Sequence, residues 1–109
     1  MDERVNKLIN AFQLKGWSPA AIVDVSSDWW FDEILQMDSS WSPVGKRVYL
    51  TLLTDPQILD KKVVWCIGIS TAIPNNSSHK YIDQVTLNDI KRIDLPSFVE
   101  KINTIVLID

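Results

Sequence analysis

His79, the single histidine of the chain, stands beside Ser77 and Ser78 and four positions before Asp83, so the letters of a hydrolase triad fall within one short stretch. A working triad converges from separate rigid elements. The segment Ile73–Lys80 is instead a polar loop after Pro74, and we read it as solvated and non-catalytic. Asp24, Asp28 and Asp32 recur at every fourth position with Glu33 and Asp38 close by, the residue type that holds hard cations. Their spacing lacks the turn glycine and terminal bidentate glutamate of a calcium loop. They are therefore expected to cap elements or face solvent, and no metal site is expected.

Cys66 lies between Trp65 and Ile67, with no basic neighbour in sequence to lower its pKa, and is expected to be a core thiol. Gly16, Gly45 and Gly68 are isolated from one another, so no phosphate-cradling loop is present. No catalytic residue and no cofactor is expected, with an enzyme of unrecognised site as an alternative.

Five tryptophans are many for 109 residues. Tryptophan is seldom buried completely and is enriched where proteins meet partners or stack on sugars and bases. Trp65 is expected in the core, and Trp17 could fold back on the end of the first helix. Trp29 and Trp30 are adjacent, so in a strand they point to opposite faces and one layer of helices cannot bury both. Trp29, Trp30, Trp41 and Tyr49 are the interface candidates.

These residues must be carried by elements that the pattern predicts. Val5, Leu8, Ile9 and Phe12 form one apolar stripe, so Asp2 to Leu14 is expected to be helix, stopped by Gly16 and the Ser18-Pro19 pair. Ala20 to Val25 reads as a connector with strand character. Trp29 to Asp38 reads as a strand, with a helix capped by Ser27 as the alternative; the loop at Pro43 and Gly45 favours the strand. Lys46 to Thr54 is a clear strand halted by Pro56.

Lys62 to Ile73 is the organising core strand, apolar on both registers. Its small register, Cys66, Gly68 and Ala72, is expected to lie beneath the helices, leaving the Trp65 register to another cover. Val85 to Ile90 reads as a short strand or as a turn capped by Thr86. Asp94 caps a second helix with Pro96 in its first turn, a buried stripe of Phe98, Val99, Ile102 and Ile105, and an end near Asn103. The tail from Ile105 to Ile108 could be an edge strand.

The expected fold is α+β: one domain over residues 1–109, a two-layer sandwich whose three- or four-stranded antiparallel meander carries the N-terminal and C-terminal helices on one face. Composition is that of an ordinary globular chain, 46% hydrophobic and 23% charged. A net charge of -3 with no basic cluster argues against nucleic acid, and no apolar run reaches bilayer length. The polar start and lone cysteine suit the cytoplasm. In size and charge the chain is comparable to immunity proteins and secretion chaperones, which occupy a partner's surface. The expected function is a non-catalytic protein-interaction module, associating through a helix-free, Trp-bearing sheet face with itself as a homodimer or with a partner protein. The alternative is a small-molecule or sugar binder using the tryptophans.

Overall fold

The structure, a computed structural model, describes residues 2–23, 31–39, 46–55, 63–74 and 81–108. Helix α1 (Glu3–Leu14) leads into strands β1 (Trp17–Val23), β2 (Phe31–Ser39), β3 (Arg47–Thr54), β4 (Val64–Ser70) and β5 (Asp83–Thr86). A 3-10 turn (Asp89–Lys91) and helix α2 (Leu95–Ile108) complete the order. The strands form one antiparallel sheet in sequence order, β1 to β5. No helix among the described residues is long and apolar enough to cross a membrane.

Five strands replace the expected three or four. The added one at the N-terminal side is β1, where Pro19 sits within the ladder. An edge strand tolerates a proline that a central strand would not, and Ala20 is bulged out between Pro19 and Ala21. Around Val85 to Ile90 both readings hold in part. The strand ends at Thr86, whose Oγ1 accepts a hydrogen bond from the Asp89 N–H (3.1 Å) and so opens the 3-10 turn.

Helix α2 starts where expected: Asp94 Oδ1 accepts from the Ser97 N–H at 3.3 Å and Oδ2 from the Ser97 hydroxyl at 3.0 Å. It does not stop near Asn103 but runs to Ile108, so the tail is helix and not an edge strand. Val106 is fully buried on the face of Val99 and Ile102. Packing of that stripe outweighs the weak helix propensity of β-branched residues.

Both helices enter one core with one face of the sheet. Val5, Leu8 and Phe12 of α1 and Phe98, Val99 and Ile102 of α2 meet Leu35, Met37, Val48, Leu50, Ile67 and Ile69. The expected placement of β4 is thereby inverted: its bulky register faces the helices, and Cys66 and Gly68 face away. Large side chains are what fill the gap of about 10 Å between packed layers.

Trp65 is corrected as well. Leu53 pairs with Cys66 and Thr54 with Val64, so Trp65 is the extra residue of a bulge. Val64 turns toward the core in its place, and the indole, 47% exposed, donates its N–H to the Thr54 carbonyl at 3.1 Å. Among the described residues, Trp17, 1% exposed, is the tryptophan of the core. It lies edge-on to Phe12 with ring centroids 6.3 Å apart, and its Nε1–H donates to Asn103 Oδ1 of α2 at 2.6 Å.

Trp17→Ala is therefore expected to destabilise by about 3–5 kcal/mol. Trp65→Ala should remove only a half-exposed ring and one hydrogen bond, about 1–2 kcal/mol. Chemical denaturation of both variants decides the matter, and equal shifts in midpoint would contradict the assignment.

Candidate functional site

The second face of the sheet, turned away from the helices, was the expected association surface. Of its candidates, Trp29, Trp30 and Trp41 lie outside the described residues. Tyr49 sits near the middle of this face, on β3, and is only 7% exposed. Its neighbours Ile34, Thr51, Cys66 and Ser70 are buried too, so the centre of this face is closed where an open apolar patch was expected.

Part of the closure is visible. The Tyr81 ring lies on Gly68 so closely that a Cβ at that position would stand 2.6 Å from Tyr81 Cδ1. Glycine in β4 is thus the room an aromatic lid requires. At the rim, Arg47 pairs with Asp38 through Nε–Oδ1 (2.7 Å) and Nη2–Oδ2 (3.3 Å). That guanidinium holds the Asp38 carboxyl below the usual carboxylate range, and hydrogen bonds with Asp38 and Tyr49 hold Arg47 more firmly protonated.

Among the described residues, the groups selected for chemistry are engaged in separate contacts, and Asp24 and Asp28 lie outside those residues. Ser77, Ser78 and His79 lie outside the described residues, while Asp83 pairs with Lys101 of α2 and accepts from the Gln84 N–H at 2.8 Å. Cys66 donates weakly to Gln84 Oε1 (3.6 Å), and burial pushes its thiol pKa up, which suppresses thiolate chemistry. Among the described residues no group of three metal-ligating side chains comes together.

Two concavities were not expected. The first, about 680 Å³, opens where the start of α1 meets β1, β2 and β4, with Val5, Ile22, Leu52, Val64 and Leu87 as apolar walls and Asp2, Arg4, Asp32 and Glu33 as polar ones. It is made by irregular backbone. Phe31 pairs with Leu53 but Ile34 with Thr51, so Asp32 and Glu33 oppose Leu52 alone, and the Trp65 bulge lies across β3 from them. Bulges bend strands and re-aim side chains in this way.

One signal for it was legible: consecutive acids in a strand must send one carboxylate toward the helix layer, whichever register holds. At the mouth, Asp2 caps α1 by accepting from the Arg4 N–H (2.8 Å) and pairs with the Arg4 guanidinium (2.9 and 3.1 Å). These bonds lower its carboxyl from an ordinary 3.8 to about 2.

The second concavity is a groove of about 460 Å³ between α1 and the edge strand, lined by Ile9, Pro19, Ala21, Ile22, Leu35 and Met37. Ser18 to Ile22 are all exposed, and Ile22 beside the groove is 64% exposed.

No protein-family model, no curated protein and no solved structure matches this chain.

Two outcomes are expected from these contacts. Gly68→Ala should destabilise by about 1–3 kcal/mol through overpacking, and that cost should shrink in a Tyr81→Ala background; a double-mutant cycle without coupling would deny the contact. Asp2→Ala should lose about 1 kcal/mol of capping at neutral pH. Because the Asp2 carboxyl is lowered in the fold, its contribution is complete above its ordinary range and lost as pH falls toward 2. The stability gap between variant and wild type should therefore close between about pH 4 and pH 2, as read from denaturation midpoints.

Proposed function

We propose that this chain is a small non-catalytic protein-interaction module that associates with a second protein chain, a second copy being the occupant that its surface favours. The observation that carries the reading is the edge strand. Five consecutive residues of β1, Ser18 to Ile22, are exposed, so this part of the strand has little cover on either face and no neighbour on its outer edge in the described sheet. Folded chains commonly protect such edges.

Here the protection is partial. Pro19 and the Ala20 bulge discourage a further strand from adding to the ladder, which leaves side-chain packing as the mode of contact. Ile22 projects beside an apolar groove on the same patch. A projection and a recess side by side are self-complementary under a two-fold axis, since each copy can fill the other. A heterologous partner, as in immunity proteins and secretion chaperones, would use the same groove with an apolar side chain of its own. The closed centre around Tyr49 makes that region a support for the sheet.

The absence of catalysis is part of the proposal. It is supported by the engagement of Asp38, Asp83 and Cys66 in structural contacts.

Sedimentation equilibrium at micromolar concentration should show dimer. Ile22→Lys should give monomer with an unchanged denaturation midpoint. A wild type that stays monomeric throughout that range would remove second-copy association from the reading.

A further inference from the structure

The outer edge of β1 can be resolved to single backbone groups. Ser39 donates its N–H to the Lys46 carbonyl at 2.9 Å, so its backbone faces β3. Successive residues of a strand turn their backbone groups to alternate sides, so Asp38 and Gln36 face β1 while Met37 and Leu35 face β3. Asp38 lies opposite Ser18, Met37 opposite Pro19, Gln36 opposite Ala21 and Leu35 opposite Ile22. Ser18 and Ala21 therefore bond inward to β2. Pro19 and Ile22 turn their backbone outward.

Both outward positions are spoiled for a further ladder. Pro19 has no N–H to offer, and the Ala20 bulge sets Pro19 and Ile22 three residues apart, where a partner strand reads outward groups at every second residue. The exposure of Ser18 to Ile22 leaves nothing else over this edge to keep a strand away. The groove is a separate matter. Pro19 contributes only apolar surface to it, which valine would supply as well.

We infer that Pro19 and the Ala20 bulge determine how a second copy attaches, by locking the β1 edge against sheet extension so that only side-chain packing at Ile22 remains. For the wild-type mode this rests on the second-copy association proposed above, whereas the lock is a property of the edge itself. Without it, the β1 edges of two copies would pair antiparallel across a two-fold axis and join two five-stranded sheets into one.

The test compares the full chain with Pro19→Val, with deletion of Ala20 and with both changes together. Sedimentation velocity reads association, and amide hydrogen exchange reads backbone pairing. The substitution restores the outward donor and the deletion restores the two-residue spacing. The combined variant should associate about tenfold more tightly than wild type or better, since each copy gains hydrogen bonds at its edge. In that form the amide introduced at position 19 and the Ile22 amide should be protected from exchange.

Pro19→Val alone should shift association in the same direction by a smaller factor, and it carries the test if circular dichroism shows that the deletion prevents folding. Association unchanged from wild type in every folded variant, or tighter association with both amides exchanging freely, would overturn the inference. A monomeric wild type beside a tightly associating variant would remove the packing at Ile22 and uphold the lock. A dimeric wild type matched by every variant would do the reverse.

Discussion

The contact on which the two layers depend is the hydrogen bond from the Trp17 indole to Asn103. It joins the first residue of the sheet to the last helix across 86 positions of sequence. Lys15 reinforces it twice, through an ion pair with Glu100 at 2.6 Å and a carbonyl that accepts from Asn103 Nδ2 at 3.4 Å. The indole can be placed there because Gly16 adopts a φ of 95°, a left-handed conformation that β-carbon sterics disfavour in other residues. One glycine thus turns the chain from α1 into β1 in two residues and delivers Trp17 beneath α2. An indole N–H shut away from water without an acceptor would be costly, so the position of Asn103 fixes where α2 can lie.

The sequence disclosed much of this frame, and the reason is periodicity. The stripes of α1 and α2, the Asp94 cap and the strands at β3 and β4 follow from spacing alone. The misplaced features share one physical origin, since period-two reasoning assumes an unbroken ladder. The bulge at Trp65 lets Val64 point inward, and the insertion at Asp32 and Glu33 resets β2 before Ile34. A bulge is chosen by pairing with a neighbour strand, which local sequence does not encode. The length of α2 escaped for a related reason: Val106 is held in helix by the sheet beneath it.

The candidate site was less legible than the fold. Small residues at Cys66 and Gly68 suggested a close helix, yet Gly68 makes room for Tyr81, and composition does not distinguish one close neighbour from another. Tryptophan count drew attention to the sheet's second face, whereas the surfaces with recesses depend on Ile22, an unremarked residue in a segment read as a connector. The acids Asp32 and Glu33 were visible, but their spacing was compared with calcium loops. Their significance lies in a backbone irregularity that brings both beside apolar walls.

The ordering of the sheet also bears on how the chain comes off the ribosome. Every strand pairs with its sequence neighbours, so β1 to β5 can be added as they emerge. Trp17 cannot complete its hydrogen bond until Asn103 has been made. At about 5–20 residues per second of synthesis, the indole and the apolar stripe of α1 lack their final cover for roughly 4 to 17 seconds. During that interval a nascent chain exposes the bulkiest of the described buried side chains, and whatever shelters hydrophobic surface during translation has an apolar target at the α1–β1 joint.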